Sequence, residues 1–140
     1  MNDKKKAQAT ILLIEQDDET RPLLRYNLYS HGFRAIVALD EEDAIARACY
    51  ERDRPNLILL NQVDLSIPQF IKMGQRIRQN AVLPSHTPIV VMAEEYGIDM
   101  EGKNVKVGDS EYVVYLEDAQ QLINFLRHLC FVHTQPQLEN

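Results

Sequence analysis

Residues 10–15 read TILLIE, five uncharged residues that end on a carboxylate. Two later stretches repeat the pattern: residues 56–61, NLILLN, end on an amide, and residues 88–93, PIVVMA, end on alanine. Short apolar runs without alternating polar residues are typical of strands that helices cover on both faces. The three runs therefore predict the centre of a parallel sheet.

Segments with helical spacing separate these strands. The first begins after Asp17 and Asp18, whose side chains can cap a helix, and ends at Gly32. Asp40, with Asp43 three residues later, resembles a capping pair for the next helix. The remaining predicted elements are strands at residues 34–38 and 111–114, a helix whose core side is Phe70, Met73 or Gly74, and Ile77, and a last helix at residues 117–132. This alternation predicts an α/β fold, a doubly wound parallel sheet with helices on both faces.

The stretch between the fourth and fifth strands breaks the alternation. Residues 94–110 read EEYGIDMEGKNVKVGDS and carry three glycines but no sustained apolar stripe. Each glycine costs about 1 kcal/mol relative to alanine inside a helix. We therefore expect the fourth helix of the fold to be short, irregular or absent.

Length and composition indicate a single domain. With 140 residues, 45% of them hydrophobic, the chain can bury one compact core. We place the domain at residues 9–133, between polar tails at residues 1–8 and 134–140. No apolar run approaches the roughly 20 residues that cross a bilayer and no signal-peptide pattern opens the chain, so a cytoplasmic location is expected. Cys49 and Cys130 have no redox or zinc spacing and are predicted to be small buried hydrophobes.

Charge and motif content exclude several classes of function. The net charge of -6 argues against nucleic-acid binding, because such binding depends on clustered lysine and arginine. The four histidines show no paired ligand spacing, so no metal site is predicted from them. The sequence contains no nucleophile elbow, P-loop or dinucleotide fingerprint, and no enzyme activity is expected.

Four segments carry a family resemblance in their joint order and spacing: ILLIEQDDETR at residues 11–21, RPNLILLN at 54–61, TPIVVMA at 87–93 and VGDSEYVVYL at 107–116. Together they resemble the receiver domain of bacterial two-component response regulators, the CheY-like family, over residues 9–132. The resemblance implies a flavodoxin-like fold with five parallel strands in the order 2-1-3-4-5. It also implies a site in which a carboxylate at the end of the third strand accepts a phosphoryl group beside Mg²⁺.

This sequence lacks most of the groups that such a site requires. The phosphoacceptor position falls on Asn61, whose neutral amide cannot form an acyl phosphate. The switch hydroxyl after the fourth strand is replaced by Ala93. The lysine and the proline of the fifth strand become Tyr115 and Leu116, which leaves no cation there to pair with a phosphate. The resemblance therefore implies a degenerate receiver, or pseudo-receiver, that has lost phosphotransfer.

The acidic pair that holds the metal ion in the family falls on Glu15 and Gln16. Of the three carboxylates that gather around the metal ion in the family only one remains, so Mg²⁺ is expected to bind weakly or not at all, because it prefers several anionic oxygens. Asp17 could compensate, although capping of the first helix is the simpler interpretation. Asn61 is expected to hydrogen-bond Glu15 or Gln16 and hold the loops in one state. Asp64 is the one carboxylate that could act as a displaced acceptor, and a turn residue is the simpler interpretation there.

An aromatic surface is predicted beside the fourth and fifth strands. It comprises Tyr96, Tyr112, Tyr115 and Leu116, and aromatic side chains are favoured at protein interfaces. Tyr112 falls on the family's aromatic switch position, but the polar partner of that residue is replaced by Ala93. Both packing and recognition therefore stay open as roles for Tyr112.

The leading hypothesis is a stand-alone pseudo-receiver that binds a signalling partner without accepting phosphate. The partner would be a histidine kinase, another regulator or a second copy of the chain. Two alternatives stay open. The first is a phosphorylated switch that uses Asp64, with Asp17 and Glu15 as metal ligands. The second is a small ligand held by the vacated pocket or by residues 94–110.

Overall fold

The computed structural model describes residues 8–50, 52 and 54–131. The predicted tails at residues 1–8 and 134–140, apart from Gln8, lie outside this part of the chain, as do Val132 and His133. Its strands are β1 Thr10–Ile14, β2 Arg34–Ala38, β3 Leu57–Asn61, β4 Ile89–Met92, β5 Asn104–Lys106 and β6 Glu111–Val114. Its helices are α1 Thr20–Ser30, α2 Glu41–Cys49, α3 Ile67–Asn80 and α4 Ala119–Phe131.

The strands form one sheet in the order β2-β1-β3-β4-β6-β5. The first five in this order are parallel, so the predicted arrangement of five parallel strands is present, with β6 in the fifth place. Thr10 of β1 pairs with Arg34 of β2, and Ile89 of β4 pairs with Glu111 of β6. The carboxyl ends of β1, β3 and β4 therefore meet at one end of the sheet.

Helices cover both faces of the sheet and enclose two apolar cores. On one face, Leu28 of α1 and Leu126 of α4 belong to a buried cluster with Leu13 of β1. On the other face, Ala44 of α2 and Phe70 of α3 belong to a second cluster, which includes the alternate residues of β1. Every residue of β1 is buried, because helices cover both of its faces.

α3 begins with a capping box and has the buried side that its sequence predicts. Ser66 Oγ accepts the backbone N–H of Gln69 at 3.2 Å, and Gln69 Oε1 accepts the Ser66 N–H at 2.9 Å, which completes a capping box. Gly74 faces the sheet, where an added Cβ would lie 2.6 Å from Ile89 Cγ2. A residue without a side chain therefore allows α3 to lie close to β4.

The stretch between β4 and β6 differs from the expected fold, because in the described residues it contains a sixth strand and no fourth helix before β6. Lys103 O accepts the Tyr115 N–H at 2.9 Å, and the Val107 N–H donates to Glu111 O at 2.9 Å, so β5 is antiparallel to β6. Gly102, with φ of +87°, turns the chain into β5. The weak or irregular helix is replaced by a strand because the glycines and alternating valines of this stretch favour turns and β pairing.

One detail of the helices agrees with expectation and another differs from it. α1 begins at Thr20, three residues after Asp17, which still caps it by accepting the Thr20 N–H at 2.7 Å. The prediction that Cys49 is buried is wrong: the buried side of α2 consists of Ala44 and Ala48, and Cys49 is exposed beside them. None of the helices in the described ranges has the length and apolar character needed to cross a membrane.

Candidate functional site

Five predicted site residues, among them Glu15, Asn61 and Ala93, come together where β1, β3 and β4 end. Glu15 follows β1, Asn61 is the last residue of β3, and Ala93 follows β4. Because the carboxyl ends of parallel strands meet at one end of the sheet, the three residues border one cavity, with a volume of about 580 Å³. Its other lining residues are Gln16, Asp17, Thr20, Gln62, Val63 and Glu94.

A short hydrogen bond joins Asn61 to Glu15. Asn61 Nδ2 donates to Glu15 Oε1 at 2.6 Å, and the Asp17 N–H donates to Glu15 Oε2 at 3.0 Å. Glu15 is only 2% exposed, and a buried carboxylate is stable only when its oxygens have partners. The hydrogen bond expected between these two side chains is therefore present, and both oxygens of Glu15 are satisfied.

Asp17 turns its carboxylate toward α1. Its Oδ2 accepts the Thr20 hydroxyl at 2.6 Å and the Thr20 N–H at 2.7 Å. These bonds, that of the hydroxyl most of all, hold the pKa of Asp17 below its usual range. The contacts are those of a helix-capping residue, as in the simpler of the two interpretations.

Arg21 fixes the loop between β1 and α1. Its Nη1 donates to Glu15 O at 3.0 Å and to Gln16 O at 3.5 Å, and its guanidinium pairs with Asp18. Arg21 lines the neighbouring groove and is not among the residues that line the cavity. The Arg21 guanidinium therefore already has partners in the carbonyls of Glu15 and Gln16 and in the carboxylate of Asp18.

The donor set of the cavity does not fit Mg²⁺. This ion requires near-octahedral oxygen ligands, most of which are carboxylates or water. Both oxygens of Glu15 accept hydrogen bonds, and Asp17 is bonded to Thr20. Across residues 8–50, 52 and 54–131, no group of three or more histidine, cysteine, aspartate or glutamate side chains is placed to hold a metal ion.

Gln62 is a cavity residue that was not predicted from the sequence. Its Oε1 accepts the Glu94 N–H at 2.7 Å, and its Nε2 donates to Leu65 O at 3.0 Å. One side chain therefore links the loop after β4 to the loop after β3. The sequence feature that could have identified Gln62 as a cavity residue is its position directly after Asn61.

Two other predicted site residues lie away from the cavity lining. Asp64 is exposed, and its φ of +68° places it in a tight turn closed by a 2.8 Å bond from the Leu65 N–H to Val63 O. This geometry matches the interpretation of Asp64 as a turn residue. Tyr115 also lies outside the lining, and its ring packs on that of Tyr96.

The predicted aromatic surface separates into two edge-to-face pairs. The rings of Tyr96 and Tyr115 are 5.4 Å apart at 75°, and the Tyr96 hydroxyl donates to Leu116 O. The rings of Tyr112 and Phe125 of α4 are also 5.4 Å apart, at 77°. Tyr112 and Leu116 pack against the core beneath α1 and α4, whereas Tyr115 is not among the residues of that cluster. The four residues are partly buried and do not form one continuous face.

A second cavity, which we name the α1–β2 groove, was not predicted. It has a volume of about 900 Å³ and is lined by Gln8, Arg21, Pro22, Arg25, Tyr26, Tyr29, Arg34, Ala35 and Val37. Tyr26 and Tyr29 are each 70% exposed. The available signal was the helical spacing of Pro22, Tyr26 and Tyr29, on the side of α1 opposite the inward-facing Leu24 and Leu28.

Comparison with solved structures shows the fold. The chemotaxis protein CheY4 of Vibrio cholerae matches with a TM-score of 0.64 at 19% identity, over 88% of this chain and 99% of that chain. A response regulator receiver domain protein from Clostridium thermocellum matches with a TM-score of 0.64 at 12% identity, over 87% and 94% of the two chains. The chain therefore has the CheY-like, flavodoxin-like fold of receiver domains.

Similarity in sequence is more limited. No protein family model matches the chain. The alkaline phosphatase synthesis transcriptional regulatory protein PhoP of Bacillus subtilis (strain 168) is 30% identical over 88 residues. That alignment covers 61% of this chain and 35% of PhoP, so the chain spans about a third of the length of this relative.

Proposed function

We propose that the chain is a pseudo-receiver, a receiver domain of two-component signalling that binds a partner without accepting phosphate. The observation that carries the proposal is the 2.6 Å hydrogen bond from Asn61 to Glu15. It stands where a phosphorylated receiver needs a carboxylate nucleophile beside a metal ligand, and an amide cannot form an acyl phosphate. The receiver fold and the similarity to PhoP support a place in signalling.

The surroundings of Asn61 support the same proposal. Ala93 offers no hydroxyl to a phosphoryl oxygen, and Tyr115 packs on Tyr96 where the family has a lysine. A phosphoryl group beside Asn61 would lie next to the carboxylate of Glu15 without a counter-ion among the described lining residues. The proposed domain therefore needs no Mg²⁺ or other cofactor, and it is not an enzyme.

In this role the hydrogen bond between Asn61 and Glu15 holds the ends of β1 and β3 together. The domain then transmits a signal by binding a partner and not by accepting phosphate. The proposed partners are a histidine kinase, another regulator or a second copy of the chain, in the cytoplasm. Among the residues first considered for the interface, Tyr96 packs on Tyr115, Tyr112 packs on Phe125, and Leu116 packs against the core. Their role in binding stays a prediction.

Incubation with acetyl phosphate and Mg²⁺, followed by measurement of the intact mass, tests the loss of phosphotransfer. We expect no phosphoryl group on this chain, while a receiver domain with its acceptor aspartate gains one under the same conditions. A phosphoryl group that Asp64→Asn removes would establish the displaced acceptor and contradict the proposal. A phosphoryl group that persists in Asp64→Asn would contradict it as well.

A further inference from the structure

We infer that the α1–β2 groove binds an extended acidic peptide segment of a partner protein, which adds a strand to the sheet beside β2. The inference rests on the proposal that the chain binds a partner, and it is independent of the proposal that the chain does not accept phosphate. The groove lies at the edge of the sheet opposite β5 and β6, away from the aromatic residues first considered for an interface.

β2 offers an unpaired edge. It is the terminal strand of the sheet order, so β1 is its one strand neighbour among the described elements. The Arg34 N–H donates to Ala9 O at 2.9 Å, and Ala38 O accepts a bond at 3.4 Å from the segment after β1. Because the bonded residues alternate along a parallel pair, the backbone groups of Ala35 and Val37 point away from β1. Charged residues and prolines commonly protect an edge from pairing, and β2 contains one such residue, Arg34, at its first position.

The side chains around this edge suit a peptide. Ala35 and Val37 also line the groove, so the residues with outward backbone groups supply part of its apolar floor. Tyr26 and Tyr29 form the facing wall and are largely exposed. A strand paired with β2 would place alternate side chains against these rings. Tyrosine and arginine are the residue types that contribute most to binding energy at protein interfaces.

Charge favours an acidic ligand. The chain carries a net charge of -6, yet the described residues of the groove include three arginines and neither aspartate nor glutamate. Arg21 is paired with Asp18, and Arg34 donates to Arg52 O at 3.1 Å. The cation of the groove that is available to a ligand is therefore Arg25, which has no hydrogen-bond or ion-pair partner within the described part of the chain. A local positive site on an acidic protein attracts a negative segment. The outward backbone groups of β2 match the amides of a peptide, which a nucleic acid lacks.

Selection of phage-displayed random heptapeptides on the purified chain tests this inference, since seven residues exceed the five of β2. We expect enriched peptides in which acidic residues alternate with apolar ones. A fluorescein-labelled synthetic copy of an enriched peptide should bind saturably. In amide hydrogen exchange it should slow exchange at Ala35 and Val37 and leave Ile36, which faces β1, unchanged.

Three variants locate the binding. Arg25→Glu should weaken binding by about tenfold, equivalent to about 1.4 kcal/mol. Val37→Pro should abolish binding in a folded chain, because proline there removes an N–H that faces outward. Lys72→Glu makes the same charge change at an exposed position of α3 on the other face of the sheet, and its affinity should equal that of the wild type. If circular dichroism shows that Val37→Pro is unfolded, Tyr26→Ala takes its place and should also weaken binding.

Several outcomes would overturn the inference. One is a selection that enriches no acidic peptide, and another is peptide binding that neither Arg25→Glu nor Val37→Pro changes. Binding of a labelled oligouridylate in place of a peptide would instead assign the groove to nucleic acid. The peptide experiment and the acetyl phosphate experiment test different claims. Absence of peptide binding would not contradict the loss of phosphotransfer, and phosphorylation of the chain would not contradict peptide binding in the groove.

Discussion

At the level of single residues, the contact between Asn61 and Glu15 determines what the cavity can do. Two carboxylates at these positions would repel each other unless a cation lay between them. The described lining of the cavity includes neither lysine nor arginine. An amide at position 61 forms a hydrogen bond in place of that repulsion, so the amide of Asn61 and the carboxylate of Glu15 are physically linked.

Asn61→Asp should therefore destabilise the folded chain. We expect the free energy of unfolding at pH 7 to fall by about 1–3 kcal/mol, because a hydrogen bond to a buried carboxylate is lost and a like charge is added. The new pair should bind a proton more readily when folded than when unfolded. A raised pKa means that the penalty is present above that pKa and decreases as the pH falls through it. Urea unfolding at pH 7 and pH 5 measures both effects.

The matched control for this variant is Asn61→Ala. It removes the hydrogen bond without adding a charge, so its penalty should change less between the two pH values than that of Asn61→Asp. If both variants show the same penalty and the same pH dependence, charge repulsion at Glu15 is not the cause.

Among the elements, α3 shows how one glycine sets the distance between a helix and a sheet. Gly74→Ala should lower the free energy of unfolding by about 1–3 kcal/mol, because the added methyl group overlaps Ile89 Cγ2 in a packed core. This loss outweighs the gain in helix propensity of about 1 kcal/mol. Urea denaturation measures the difference.

Gln75→Ala provides the control for Gly74→Ala, because it changes an exposed neighbour in the same helix and should have little effect. Ile89→Ala removes the overlapping methyl group, so the penalty of Gly74→Ala should be smaller in that background. A Gly74→Ala chain as stable as the wild type would contradict the close approach.

The sequence predicted the elements whose side chains repeat a pattern. β1, β3 and β4 followed from unbroken apolar runs, and α3 followed from its buried spacing. β5 was not predicted, because Val105 and Val107 are too few alternating residues to define a strand on their own, and the pairing of β5 depends on β6. Cys49 was misplaced because a short helix fixes its buried side only to within about one residue, and here Ala44 and Ala48 take it.

For the molecule as a whole, the two cysteines distinguish the native surface from the core. With iodoacetamide at pH 8, Cys49 should react quickly, since it is exposed at the end of α2. Burial raises the pKa of Cys130 to about 12, so this thiol contains almost no reactive thiolate. Intact mass should show one fast alkylation, and a second that accelerates in urea as the domain unfolds.

Cys49→Ser is the control for this assignment. The variant should resist alkylation under native conditions and react once in denaturant. Rapid modification of Cys49→Ser in the native state would contradict the packing of α4 against the sheet.

The two cavities differ in how far a sequence can reveal them. The contact between Asn61 and Glu15 was predictable, because residues that follow parallel strands converge at one end of the sheet. The α1–β2 groove depends on which strand is terminal and on how far α1 leaves it uncovered. Helical spacing places Tyr26 and Tyr29 opposite the buried Leu28, but it does not show that their exposed rings lie beside the edge of β2.

The bond between Asn61 and Glu15 also bears on time. An acyl phosphate hydrolyses, so the signal of a phosphorylated receiver decays at the rate of that hydrolysis. An amide bonded to a carboxylate has no such decay. In the proposed role, the duration of the output is therefore set by how fast the cell makes and degrades the chain, and its strength by how many copies compete for the partner.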